Sequence, residues 1–280
     1  MKRKILLPTD FSDNAWSATV YALKLFAEQE CTFYFLNSIV VKVNMLSNVS
    51  NKLITTMREN AMVELLDLKE LVQSSDPNPK HDFDIILSSD DLNKAVKNAV
   101  EKHDISLIIM GTKGATGAKE LFFGSNTVSL IMKIKNCPVL MIPEEFDFIK
   151  PKQIAFPTDY NHFYHANEIK SLRELADLYS SEIRIVHIDV EEELSDKQSD
   201  NLIVLESYLK NNNFSLHWMP NYAEKVEEIN DFIEELDIDI LAMVKHNHNF
   251  FQKILNEPVI KDLGFHAKIP FLVIPESVDI

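Results

Sequence analysis

Glycine is scarce in this chain. There are 5 in 280 residues, where average usage of ~7% would supply roughly 20. Four of them, Gly111, Gly114, Gly117 and Gly124, fall in one short segment, and the fifth is Gly264. A chain that turns almost everywhere without glycine has concentrated its permissive backbone in one loop, and glycine is what lets backbone approach a ligand closely. Cysteine is nearly absent as well. Cys31 and Cys137 can form at most one disulfide, and a chain this long buries a core without one, so a reducing cytoplasm is the expected setting. Basic residues are outnumbered, with 28 Lys and Arg against 43 Asp and Glu for a net charge of −15. Such a surface repels phosphate backbones and anionic lipid heads, which argues against nucleic acid and membranes as partners. Long apolar runs are missing too. After Lys2-Arg3-Lys4 the run Ile5-Leu6-Leu7 stops at Pro8, too short for a signal-peptide core, and no stretch approaches ~18 apolar residues.

What is present is a repeated pattern. Lys4-Ile5-Leu6-Leu7-Pro8-Thr9-Asp10-Phe11 is echoed by Gln153-Ile154-Ala155-Phe156-Pro157-Thr158-Asp159-Tyr160, at an offset of 149. Late in each half, Cys137-Pro138-Val139-Leu140-Met141-Ile142-Pro143-Glu144 is echoed by Ile269-Pro270-Phe271-Leu272-Val273-Ile274-Pro275-Glu276, now at an offset of 132. The second copy is therefore shorter. Because 104–110 already matches 237–243 at an offset of 133, the loss falls upstream, between the second and third strands of the copy. Two domains, 1–146 and 150–280, follow. Their charge differs: 11 basic and 24 acidic residues follow position 150, leaving 17 basic and 19 acidic before it.

Within the first half, short apolar runs at 5–8, 32–36, 83–87, 107–110 and 138–142 read as strands. Helical spacing fills 14–28, 51–73, 92–102 and 125–133 between them. The second half repeats the strands at 154–156, 183–188, 214–219, 240–243 and 271–274. Nearly all-apolar strands alternating with helices predict a parallel sheet covered on both faces, a doubly wound α/β domain in each half.

Ligands of such sheets sit beyond the carboxyl ends of the strands, where the strand order reverses. Two first-half segments belong there. One is Pro8-Thr9-Asp10, after the first strand. The other is Gly111-Thr112-Lys113-Gly114, nine further residues, and then Gly124-Ser125-Asn126-Thr127 opening a helix. Early glycines free N–H groups to form an anion nest, Lys113 adds a cation inside it, and a helix N-terminus behind Gly124 offers orphan N–H groups to a phosphate. The alternative is a loop that only turns a corner, with Ser125 as an ordinary N-cap. The spacing fits neither GxxxxGK[ST] nor GxGxxG.

G-x2-G-x9-G-[S/T], after a Leu-Ile-Ile-Met-Gly strand and before a helix leading into Cys-Pro-Val-Leu-Met-Ile-Pro, resembles the ATP-binding subset of the universal stress protein family. Gly111, Gly114, Gly124 and Ser125 fit it without a gap, and Asp10 matches the family's early strand-loop acid. The likeness extends over both halves, so the chain resembles a tandem member. It implies Rossmann-like domains of the adenine nucleotide alpha hydrolase type, each a five-stranded parallel sheet of order 3-2-1-4-5. It also implies ATP, with or without Mg2+, in the first half. Asp10, flanked by the strand end Pro8-Thr9, would lie near ribose and adenine. Ser38 would offer backbone to the adenine edge. Met110, Gly111, Lys113, Gly114, Gly124, Ser125, Asn126 and Thr127 would surround ribose and phosphates. The implied role is a cytoplasmic stress-response protein in which the nucleotide acts as a conformational or partner-binding switch for an unknown protein partner. A slow ATPase and an interaction protein with a vestigial site are the alternatives. Single-domain members pair through the edge of the last strand, which implies an intrachain pseudo-dimer through 139–142 and 271–274, with a further homodimer open.

The second half departs from the motif. Val244 and roughly Asn247 stand for the first two glycines, and about Asn256-Glu257 for Gly124-Ser125, so no ATP is expected there although Asp159 is retained. His162 and His165 after its first strand and His246 and His248 after its fourth could join Asp159 around a zinc ion, although such pairs are more often solvated loop residues and no metal is the expectation. No residue pairing suggests covalent catalysis, and Cys31 and Cys137 are expected to pack as small hydrophobes.

Overall fold

The computed structural model describes residues 2–40, 51–75, 77–112, 124–189, 193–220, 225–245 and 269–277. The chain divides into two compact units, the first running to Glu145 and the second from Phe146.

Unit 1 comprises β1 (Arg3–Pro8), α1 (Asp13–Leu25), β2 (Cys31–Ser38), α2 (Asn51–Ser75), β3 (His81–Ser88), α3 (Leu92–His103), β4 (Leu107–Gly111), α4 (Ser125–Lys133) and β5 (Val139–Ile142). Its sheet has the order β3-β2-β1-β4-β5 with parallel pairing throughout. Ile5, Leu6, Phe33, Phe35, Leu36 and Ile108 have no solvent exposure, and each large side chain hidden this way stabilises the unit by about 1.5–3 kcal/mol. Helix boundaries follow local chemistry. Ser12 caps α1 by accepting from the Ala15 N–H at 3.3 Å, and Asp91 caps α3 through the Lys94 N–H at 3.2 Å. The buried stripe Ala95, Val96, Ala99 and Val100 then sets which side of α3 meets the sheet. α1 ends at Leu25, short of the 14–28 span that its apolar spacing predicts, because Phe26 leaves helical geometry at φ −106° and ψ 18°.

Unit 2 comprises β6 (Gln153–Pro157), α5 (Ala166–Asp177), β7 (Glu182–Asp189), α6 (Asp196–Leu209), β8 (Phe214–Pro220), α7 (Lys225–Glu235), β9 (Ile240–Lys245) and β10 (Phe271–Pro275). Its order, β8-β7-β6-β9-β10, is the same 3-2-1-4-5 pattern. Part of what the second copy lacks is helical, since α2 has 25 residues and α6 has 14.

The shortage of glycine is met by other residues in the left-handed region. Phe11 (φ 62°) and Tyr160 (φ 53°) sit at equivalent places after the first strand of each unit, and Asp104 (φ 50°) and Asp237 (φ 48°) before the fourth. An L-residue there costs roughly 1–2 kcal/mol. Each aromatic is held by the threonine two residues before it, whose hydroxyl accepts the N–H of Phe11 and of Tyr160 at 3.0 Å in both cases. Since both units share the device, it belongs to the fold rather than to a ligand. No described helix is long and apolar enough to cross a membrane.

Candidate functional site

β1 and β4 are neighbours, and the chain leaves β1 towards β2 on one side and β4 towards β5 on the other. Their carboxyl ends therefore flank the point where the order reverses. Pro8, Thr9 and Asp10 leave β1 there. The Thr9 N–H donates to the Leu36 carbonyl at 2.8 Å, and Asn37 Nδ2 donates to the Thr9 carbonyl at 2.8 Å, so the loop is fixed from β2. Asp10 is exposed, and its Oδ1 accepts from the Ser12 hydroxyl at 2.6 Å and the Ser12 N–H at 3.2 Å. With Asp13 in its first turn, α1 already has carboxylates against its positive end. Ser38, half-buried at the end of β2, donates its hydroxyl to the Asp90 carbonyl at 2.7 Å, which ties it to the segment after β3.

The other wall begins where β4 ends at Met110 and Gly111. A Cβ on Gly111 would lie 2.7–2.8 Å from Cγ, Oδ1 and Nδ2 of Asn14, whose side chain is buried. A side chain at position 111 would therefore displace the Asn14 amide, so packing against α1 is one physical reason for a glycine here. Thr112, itself buried, donates its N–H to the Ile142 carbonyl at 3.0 Å and accepts the Gly124 N–H at 2.6 Å. That last bond pins the two ends of segment 113–123 together and sets α4 directly behind the end of β4. The Thr127 hydroxyl, also buried, donates to the Gly111 carbonyl at 3.2 Å and locks the first turn of α4 onto the strand.

The N-cap of α4 is Gly124 (φ −59°, ψ 147°), with Ser125 as the first helical residue, so the sequence's alternative of Ser125 as the cap is not what forms. Among the described residues no side chain caps this helix, no acid stands in its first turn, and Ser125 and Asn126 are exposed. Two helices thus begin near the switch point with opposite electrostatic character. α1 is capped and compensated; among the described residues nothing caps or compensates the positive end of α4. Lys113 and Gly114 lie outside the described residues.

Unit 2 keeps the scaffold and changes the contents. The Thr158 N–H donates to the Val186 carbonyl at 2.9 Å, and His187 takes the place of Asn37, with Nδ1 3.0 Å from the Thr158 carbonyl. A carbonyl only accepts, so His187 carries its proton on Nδ1. The link from the first strand to its helix has eight residues, 158–165, against four in unit 1, 9–12. The longer link turns inward: Tyr164 is 3% exposed and donates to Thr158 Oγ1 at 2.7 Å, while Tyr160, the counterpart of Phe11, is 3% exposed and stacks on His187 at 4.8 Å. Glu168, 1% exposed, accepts from the His165 N–H at 2.9 Å and the Ser277 N–H at 2.7 Å, with His162 Nε2 3.4 Å away. Burial alone would raise its pKa; the bonds from His162, His165 and Ser277 outweigh that and hold it below the ordinary carboxylate value.

His162 and His165 both take part in this capping arrangement. Among the described residues no three His, Cys, Asp or Glu side chains are placed to hold a metal, and His246 and His248 lie outside them. Spacing arguments passed over Asn14, Asn37 and Thr112. Asn14 carried a signal all the same, as a polar residue one position from Ala15 on the apolar face of α1.

Comparison with known proteins gives one result. A family model described as the universal stress protein family matches residues 1–143. The universal stress protein MJ0577 of Methanocaldococcus jannaschii is 31% identical over 159 residues, covering 51% of this chain and 95% of that protein. Universal stress protein MJ0531 of the same organism is 28% identical over 147 residues, covering 50% and 81%. A solved universal stress protein from Archaeoglobus fulgidus shares the fold, with a TM-score of 0.71 at 16% identity over 99% of this chain and 97% of that one. With more than half of its residues matched by the family model and nearly the full length of a relative aligned to it, the chain belongs to the universal stress protein family.

Proposed function

We propose that unit 1 binds an adenine nucleotide, ATP in the first place, and that its occupancy acts as a conformational or partner-binding switch in a stress response. The observation that carries this reading is the N-terminus of α4, which among the described residues is uncapped and free of acid, pinned behind the end of β4 at the switch point. An uncompensated helix N-terminus favours a phosphate, whereas Asp10 and Asp13 disfavour one at α1. The nucleotide is therefore oriented with its phosphates at Gly124, Ser125 and Asn126, joined by Lys113 and Gly114. Its ribose and base lie towards Asp10 and Ser38, where a carboxylate can accept from ribose hydroxyls. Unit 2 binds no ATP in this reading, because Tyr160, Tyr164 and the Glu168 carboxylate are packed into the corresponding edge of its sheet.

The test is to denature the purified protein, identify released nucleotide by chromatography, and titrate ATP calorimetrically into wild type, Gly114→Asp and Gly124→Asp. About one nucleotide per chain is expected, with affinity falling ~100-fold in either variant as an acid meets the phosphates. Gly124 already has cap geometry that any residue adopts, and Asp is a favoured N-cap, so Gly124→Asp loses the ligand without losing stability. Unchanged ATP affinity in both variants overturns the reading.

A further inference from the structure

The shortened α6 leaves a sheet face bare. β8 is the end strand of unit 2, paired on one side with β7 in the register Ile183↔Phe214, Ile185↔Leu216 and His187↔Trp218. Its residues alternate between faces. His217 meets Phe232 of α7, with ring centroids 5.3 Å apart, so Phe214, Leu216 and Trp218 look the other way. Leu216 is 47% exposed and Trp218 39%. In unit 1 the equivalent strand is β3, whose Phe83, Ile85 and Leu87 match Phe214, Leu216 and Trp218 by register; Ile85 and Leu87 are half-buried, and Phe83, 9% exposed, stacks on Phe33 and Phe35 beneath α2. That helix buries Ala61, Leu65 and Val72. Among the described residues α6 has no comparable packing on β8.

We infer that this face is a docking surface for one amphipathic helix of a partner protein, about three turns long, apolar towards Leu216 and Trp218 and cationic on its outer side. The length follows from the internal comparison: α6 has 14 residues where α2 has 25, and the missing eleven make about three turns. The charge follows from the unit, which carries 11 basic and 24 acidic residues after position 150, while Phe214–Pro220 contains no charged residue. Asp196, Asp200 and Glu206 on α6 add to the field that a cationic helix would meet. The same charge disfavours a second copy of this chain as occupant, since two such units repel. β8 also lacks the Lys or acidic residues that usually blunt an edge strand, whereas β3 carries Asp82 and Asp84. The inference stands apart from nucleotide binding and uses no residue of that site.

The probe is a synthetic peptide of residues 58–74 of this chain, the cover of β3, carrying Glu59→Lys, Glu64→Lys, Asp67→Lys and Glu70→Lys. It is titrated into the full chain while Trp218 emission is followed. Saturable binding with a blue shift is expected, about tenfold weaker in Leu216→Lys and in the milder Leu216→Thr. The unsubstituted acidic peptide should bind about tenfold more weakly, with the gap narrowing at high salt. Absence of binding, or binding that neither Leu216 variant weakens in proteins that melt like wild type, overturns the inference. So does a dimer in sedimentation that Leu216→Lys dissolves, which would assign the face to a second copy.

Discussion

The loops after β1 and β6 start from the same residues, Pro-Thr-Asp followed by an aromatic, and reach different ends. Both threonines hold an aromatic at positive φ, and both are fixed from the neighbouring strand, by Asn37 in one unit and His187 in the other. The four-residue link of unit 1 then enters α1 directly and leaves the sheet edge beside an uncapped α4. The eight-residue link of unit 2 brings in Tyr164 and Glu168 and fills the edge with protein. Shared motif residues therefore report the scaffold. What separates the two sheet edges is four inserted residues and one buried carboxylate.

That contrast can be broken or sharpened experimentally. The largest expected effect is the ~100-fold loss of ATP affinity in Gly124→Asp, set against no change in Asp159→Ala, since only unit 1 is expected to hold nucleotide. Next is Glu168→Ala, which leaves the N–H groups of His165 and Ser277 without their acceptor and should cost unit 2 about 3 kcal/mol, read by denaturant unfolding. Its pH dependence has a definite sign. Because the Glu168 pKa is lowered on folding, its stabilisation is fully present above the ordinary carboxylate value of ~4.3 and is lost as pH falls through the lower, folded value. Glu168→Ala should therefore flatten the acid limb of unit 2's stability and leave unit 1's unchanged.

Gly111→Ala should cost about 1–3 kcal/mol, because its Cβ meets the Asn14 amide at 2.7 Å. Combining it with Asn14→Ala should recover part of that, and a double-mutant cycle by chemical denaturation checks the coupling. The smallest effect concerns thiol chemistry: burial pushes Cys31 up to about 11 and Cys137 up to about 12, so neither should react with a thiol reagent at neutral pH until the protein unfolds.

Much of the architecture was legible because the strands are short apolar runs and the helices carry periodic stripes, and both signals are local. The 3-2-1-4-5 order came through the family resemblance, and the shortening between the second and third strands came from the shift in repeat offset. The site was legible only in part. Gly111 reads as a ligand-facing glycine in the sequence, and the structure adds a second demand on it, because Asn14, 97 positions earlier, occupies the space a Cβ would take. Ser125 reads as a cap in the alternative to the phosphate reading, whereas the backbone makes Gly124 the cap.

The sequence by itself determined that there are two α/β halves, that the glycines gather in one of them and that the acidic charge gathers in the other, because composition and periodicity are properties of neighbours along the chain. Tertiary structure alone decided that Glu168 reaches the backbone of Ser277 and that Leu216 and Trp218 are exposed where Ile85 and Leu87 are half-buried. Those outcomes depend on which side chains meet across sequence separations that local patterns do not encode, and on whether a helix is long enough to reach the strand beneath it.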